Sequence, residues 1–209
     1  MRYQLVIFDF DGVLADSAAW FLETFNHVAA RHGFRQVDAD SIDDLRSMSS
    51  REIIRALGVP LWRMPLIARD MRNRSSAAAD RITLFPEIDA LLTELGARGA
   101  QIAIASSNSE AAIRRILGAN LAGAINQFEC GSSLFGKARR IKRILRRSGQ
   151  AATEAIFIGD ETRDIEAAQD AGVAAGAVLW GYAKSAAFDS VNPVARFATV
   201  QEMRSFLLQ

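Results

Sequence analysis

Leu5-Val6-Ile7-Phe8-Asp9-Phe10-Asp11-Gly12-Val13 decides how the rest of the chain is read. Its first half is short and apolar, with Val6, Ile7 and Phe8 of the β-branched and aromatic types found in a buried strand. Its second half carries two acids at i and i+2, positions that share one face of an extended chain. Like charges held together are costly unless a cation or proton lies between them. Gly12 then permits a turn that a residue with a Cβ resists. An acidic turn after a strand is the plainer alternative, since Asp is common in turns, and the segment alone does not choose.

Downstream, Asp16-Ser17 offers a helix N-cap. Trp20, Phe21, Thr24, Phe25 and Val28 recur at helical spacing, and Ile53, Ile54, Leu57, Leu61, Met64, Leu66, Ile67 and Met71 continue the pattern. The stretch from Ala18 to about Ala79 therefore reads as helical, with no strand; Ser75 to Ala79 is a candidate hinge. From Phe85-Pro86 the rhythm changes. Pro86 suits the first turn of a helix whose apolar face is Ile88, Leu91, Leu92 and Leu95. Strands are expected at 101–105, 125–130, 155–159, 177–179 and near 196–198. Helices are expected from Ser109 to Gly118, over 137–147, over 162–171, and at the end through Leu207-Leu208. Alternating strands and helices with continuous apolar strands predict a parallel sheet covered on both faces. The expected class is α/β: a Rossmann-like parallel sheet core flanked by helices, with an inserted α-helical cap.

In such sheets ligands bind beyond the carboxyl ends of the strands. There the sequence places Asp9 and Asp11, then Ser106-Ser107-Asn108, then Gly159-Asp160 with Asp164 one turn on; Gly136-Lys137 opens the basic helix. Singly these read as turns and caps, Asp160 and Asp164 being welcome at a helix N-terminus. Lys137 is less easily dismissed, because positive charge there opposes the helix dipole. Together, an acid cluster, hydroxyls and a lysine on one rim suit phosphoryl transfer. Oxygen-only ligands favour Mg²⁺, one Asp can serve as nucleophile and another as general acid and base, and hydroxyl and lysine can stabilise the transferring charge.

These residues, in this order across nearly the whole chain, resemble the haloacid-dehalogenase-like phosphatase superfamily, particularly its phosphoglycolate-phosphatase-like branch. Asp9-Phe10-Asp11-Gly12-Val13 is similar to its first motif and Ser106-Ser107-Asn108 to its second. Lys137 is similar to the third, and Gly159-Asp160-Glu161-Thr162-Arg163-Asp164 to the fourth. Two positions depart: Ala138 follows the lysine where many relatives have proline, and Glu161 stands where serine is frequent. The resemblance implies that Asp9 is the nucleophile, Asp11 the general acid and base, and Ser106 and Lys137 the groups on the phosphate, with Lys142 the alternative lysine. It implies Mg²⁺ held by Asp9, Asp11 through its carbonyl, and Asp160, with Asp164 close by. Gly12, Ser107 and Asn108 would adjoin the substrate. Residues 15–82 would form a cap over a core of 1–14 and 83–209.

Asp11 argues against a dehalogenase, whose relatives lack that acid. No lysine precedes Lys137, so the insert cannot supply the Schiff-base lysine of a phosphonatase. The expected activity is Mg²⁺-dependent hydrolysis of a small phosphorylated metabolite, with 2-phosphoglycolate the candidate; a sugar phosphomutase and a non-catalytic phosphate-binding module are the alternatives. Arg46 and Arg51 are candidates for a second anionic group, arginine being suited to bidentate contact, and equally read as solvated helix residues. His27, His32, Trp20 and Phe21 read first as parts of the insert's own packing or surface. Trp180-Gly181-Tyr182 follows a strand and either borders the site or simply packs.

The 209 residues suffice for one domain with an insertion, and 50% hydrophobic with 23% charged is ordinary globular make-up. A net charge of +1 gives no global argument for nucleic acid or an anionic membrane. Cys130 alone forms no internal disulfide, which fits a reducing compartment. No signal-peptide pattern opens the chain and no stretch has membrane-span length. A cytoplasmic monomer or homodimer is expected.

Overall fold

The computed structural model describes residues 1–131 and 136–209. In chain order the elements begin with β1 (Leu5–Phe8), β2 (Ala15–Asp16), α1 (Ala18–His32), α2 (Ile42–Arg46), α3 (Ser50–Ala56), α4 (Met64–Ala77) and β3 (Thr83–Leu84). They continue with α5 (Ile88–Ala97), β4 (Gln101–Ser106), α6 (Glu110–Ala124), β5 (Gln127–Cys130), α7 (Lys137–Ser148) and β6 (Ala155–Gly159). The last are α8 (Thr162–Ala171), β7 (Ala174–Val178), β8 (Ala195–Phe197) and α9 (Val200–Leu207). Six strands form one sheet in the order β5-β4-β1-β6-β7-β8, every pairing parallel.

The pleat of β1 sorts the core. Val6 and Phe8 face one side with Ile102, Ile104, Ile156 and Ile158, under Leu91, Leu95 and Met203 of α5 and α9. Leu5 and Ile7 face the other with Ala103 and Phe157, under Ile141, Ile144 and Ile165 of α7 and α8. Both faces are covered, so the strand is apolar at every position. Each such aliphatic or aromatic side chain contributes roughly 1.5–3 kcal/mol by leaving water.

The helical insert leaves and rejoins this core through a two-stranded antiparallel pair, Ala15 opposite Leu84 and Asp16 opposite Thr83. Val28, Ala29, Phe34 and Ile67 form its own small core. Helices α2 and α3 bury none of their residues fully.

Some local expectations are corrected. Pro86 lies outside α5, because Glu87 adopts a left-handed backbone (φ 67°) and the helix starts at Ile88. Gly118 kinks α6 without ending it, and the helix resumes to Ala124. Ile125 therefore caps that helix, and β5 starts at Gln127. Strand β7 begins three residues early: Ala174-Ala175-Gly176 has little strand propensity of its own but is held by pairing with β6 and β8. Ser17 does precede α1, yet its hydroxyl bonds the Tyr182 hydroxyl instead of capping. The Ser75–Ala77 stretch is the continuous end of α4.

Candidate active site

Asp9 follows the last residue of β1. Its N–H donates to the Ile158 carbonyl at 2.9 Å, extending the sheet ladder by one bond. The chain then turns sharply, with the amides of Leu14 and Ala15 both donating to the Phe10 carbonyl, at 2.9 and 3.0 Å. That turn, more than the pleat, sets the relation of the two acids. Asp9 Oδ2 accepts from Lys137 Nζ at 2.6 Å, while Asp11 Oδ2 accepts from Asn108 Nδ2 at 3.2 Å. Both carboxylates line one cavity. Gly12 sits at φ +78°, and a Cβ there would run into the Asp160 carboxylate and Tyr182. Its hydrogen side chain is what lets Asp160 come this close.

Lys137 opens α7 and is nine-tenths buried. Two acids offset its conflict with the helix dipole: Asp9, and Asp164 Oδ1 at 2.5 Å. Asp164 also orders the start of α8, its Oδ2 accepting from the amides of Asp160 and Glu161, each at 3.2 Å. Asp160 Oδ2 accepts from the Tyr182 amide at 2.8 Å, which brings the Trp180-Gly181-Tyr182 loop to the border of the site. Lys142 stays exposed.

Carboxylate oxygens of Asp9, Asp160 and Asp164 lie within 4.8 Å of one another, all buried. Asp160 Oδ1 is buried with no hydrogen-bond partner among the described residues. An orphaned anionic oxygen among three acids is expensive in a dry site. Hard oxygen donors of this kind suit a small divalent cation such as Mg²⁺.

The electrostatics agree. Burial lifts the Asp9 carboxyl to about 6, against the pull of Lys137, and Asp164 adds to the rise. Burial, then Asp164, Glu161 and Asp9, push Asp160 well above the usual carboxylate range. Lys137 would be lowered by burial, but Asp164 and Asp9 outweigh that and push it up to about 12. The lysine keeps its charge because it serves two acids; each acid has only a share of it. Asp11 is raised by burial, with Asn108 and Ser17 acting the other way.

The remaining expected residues are placed as follows. Ser107 and Asn108 line the cavity. Ser106 lies buried at the end of β4, its Oγ accepting from the Asn108 amide at 3.1 Å. Arg46 is occupied, its Nε and Nη2 donating to the carbonyls of Tyr182 and Gly181 at 3.0 Å each. Arg51 is exposed, beside Glu166 at 3.6 Å, and is not brought to the cavity. His27 is exposed, and His32 lies 3.3 Å from Asp70.

Three contributors, Arg163, Ser75 and Arg72, were given no part in the site from sequence, and Tyr182 was named there only as bordering or packing. Arg163 pairs with Glu161. Ser75 of α4 accepts from Asn108 Nδ2 at 2.9 Å. Tyr182 joins Asp160 to Ser17, and Arg72 lines the cavity. An arginine among apolar positions of an amphipathic helix is the one of these signals a sequence could have offered.

Comparison with known proteins gives the family. Residues 6–178 match the model of the haloacid dehalogenase-like hydrolases. A phosphoglycolate phosphatase of Synechococcus elongatus is 32% identical over 180 residues, 86% of this chain and 85% of that protein. The tyrosine-protein kinase PtkA of Mycobacterium tuberculosis is 29% identical over 98% of this chain and 72% of its own length; its solved structure superposes with a TM-score of 0.76, covering 99% of this chain and 98% of that one. A predicted phosphatase from Clostridium acetobutylicum, at 19% identity, shares the fold with a TM-score of 0.82 over 100% and 99% of the two chains. The chain belongs to the haloacid dehalogenase-like hydrolase family, and within it to the phosphatases resembling phosphoglycolate phosphatase. Among the described residues no helix is long and apolar enough to cross a membrane.

Proposed function

We propose that this enzyme is a Mg²⁺-dependent phosphomonoester hydrolase that works through an aspartyl-phosphate on Asp9. The observation that carries the reading is the buried convergence of Asp9, Asp160 and Asp164 around an unpartnered oxygen, beside a single lysine. Asp9, Asp160 and Asp164 would hold the metal, with the Asp11 carbonyl completing the protein's share. When bound, Mg²⁺ supplies positive charge against the transferring phosphoryl group. Asp9 attacks phosphorus as its carboxylate while Lys137 neutralises charge on nucleophile and phosphate. Asp11, raised by burial, carries the proton that the leaving alkoxide takes. It then accepts a proton from the water that cleaves the aspartyl-phosphate, so one water is consumed and alcohol and phosphate leave. Ser106, Ser107, Asn108 and Gly12 shape the phosphate cradle.

Residues 15–82 act as a cap over a core of 1–14 and 83–209. Two short strands tether the insert, and polar contacts dock it on the core: Ser50 Oγ donates to Glu161 at 2.9 Å, and the Ser76 and Ser109 hydroxyls lie 3.0 Å apart. Closure of such a lid excludes water and selects substrate. A mutase reading gains no specific support from these contacts.

EDTA is expected to stop release of phosphate from p-nitrophenyl phosphate and from 2-phosphoglycolate, and added Mg²⁺ to restore it. Hydrolysis indifferent to chelation would remove the metal from the reading. Label from ATP appearing on a protein tyrosine, with no monoester hydrolysis, would favour the activity named for the mycobacterial relative.

The acid cluster also fixes a pH dependence. Asp9 and Asp160 have folded pKa values above the unfolded carboxylate range. Such groups favour the folded state most below their unfolded pKa, near 4, and that contribution is lost as pH rises, for Asp9 through about 6. The metal-free protein is therefore expected to be the more dependent on cation at pH 7.5 than at pH 5. Saturating Mg²⁺ at roughly 100 times its dissociation constant should stabilise it by about 2.7 kcal/mol at pH 7.5, several degrees in Tm. At pH 5 the shift should be clearly smaller, and equal shifts at the two values would contradict it.

A further inference from the structure

The cavity that ends on Asp9 and Asp11 measures about 480 Å³ and extends into the insert, where its walls are mostly apolar: Phe21, Phe25, Leu45, Ile54 and Met71 among them. A two-carbon hydroxy acid would leave most of that space unfilled, and small polar molecules gain nothing from such walls. The incompletely buried helices α2 and α3 turn apolar side chains into this space.

One cation stands out against these walls. Ala68, Met71, Arg72 and Ser75 all line the cavity, at the spacing of one face of α4. Arg72 Nη1 is buried and has no hydrogen-bond partner among the described residues. Burial, and after it Arg69, lowers its proton affinity. Ser75, one turn on, accepts from Asn108, which also donates to Asp11. Arg72 thus lies about one helical turn, roughly 5 Å, from Ser75, whose partner Asn108 touches the general acid. Arg163 lines the cavity as well, and its Nε is likewise buried without a partner among the described residues, but its Nη2 is paired with Glu161 beside the acid cluster. Arg46 is held by backbone carbonyls. Of the arginines that line the cavity, Arg72 is the one with no partner among the described residues. A guanidinium nitrogen buried without a partner is costly, and a planar carboxylate answers the fork with two hydrogen bonds.

We propose that the substrate is the phosphate ester of a hydroxy acid with a bulky apolar substituent, its carboxylate on Arg72 and its apolar body in the insert cavity. This rests on the phosphatase reading only for which end carries the phosphate.

Calorimetric titration of the full chain with three product alcohols tests it, without metal or phosphate. 3-Phenyllactate should bind at least about 10-fold more tightly than glycolate, from burial of its ring. Arg72→Met should weaken 3-phenyllactate by about 10- to 100-fold, yet leave neutral 2-phenylethanol within about 2-fold. Arg72→Lys, which keeps charge but not the fork, should recover only part of the loss. The Met variant removes an unpartnered charge at similar length and should fold with undiminished Tm; should it not, the Lys variant carries the test. Glycolate binding as tightly as 3-phenyllactate, or equal weakening of acid and neutral alcohol by either variant, overturns the proposal. Selective binding by a chain that hydrolyses no ester would leave this inference standing and remove the phosphatase reading.

Discussion

Asp9→Asn is expected to lower kcat for any accepted phosphomonoester by at least about 10⁴-fold, the scale on which loss of a covalent nucleophile acts. The fold should survive. Asn keeps the size of Asp, and its carbonyl oxygen can still accept from the Phe10 amide, as Asp9 Oδ1 does at 2.8 Å. Lys137 retains Asp164 as partner. The substitution also relieves one of three crowded buried acids, so the metal-free Tm should hold or rise. The measurement is steady-state hydrolysis with Mg²⁺ beside thermal unfolding. Activity within about 10-fold of the parent in a folded protein would show that Asp9 is not the attacking group and would move attention to direct attack by water.

Much of this arrangement was legible because a buried parallel strand leaves a plain mark. Leu5 to Phe8 and Ile156 to Ile158 are apolar at every position, and the polar residues that follow have few structural reasons to be there. Asp9, Asp160, Asp164 and Lys137 could be gathered before any coordinates because strand ends of one sheet share a rim. What stayed hidden depends on direction more than on identity. Arg46, Arg51 and Arg72 look alike in a sequence rich in arginine. Arg46 lines the cavity but is held by carbonyls, Arg51 faces solvent, and Arg72 lines the cavity with no partner among the described residues, and only the packed rotation of each helix separates them. Gly12 read as a turn residue, although its absent Cβ is what admits Asp160. Tyr182 acts through its backbone amide, which no side-chain pattern reveals. Pro86 misled because a left-handed Glu87 stands between it and the helix, which starts at Ile88.

Lys137→Met should cost the metal-free protein more stability than any other single change in the site. The ammonium is buried between Asp9 and Asp164 at 2.6 and 2.5 Å. Taking one partner from a buried ionic group leaves charge uncompensated and costs about 3–5 kcal/mol, about 6–20 °C in Tm for a chain of this size. The cation also holds Asp9 ionised for attack, so kcat should fall by about 10²- to 10³-fold. Simple loss of packing predicts the same Tm deficit with and without metal, whereas an electrostatic origin predicts that Mg²⁺ recovers a large part of it. Removing Asp164 as well separates the two further. In Lys137→Met/Asp164→Asn one of the stranded acids is gone, and the pair should be less destabilising than the sum of its parts by at least about 1 kcal/mol. Additive effects, or a Tm deficit that Mg²⁺ leaves untouched, would mean that Lys137 fills space at the head of α7 and does not balance the acids beneath it.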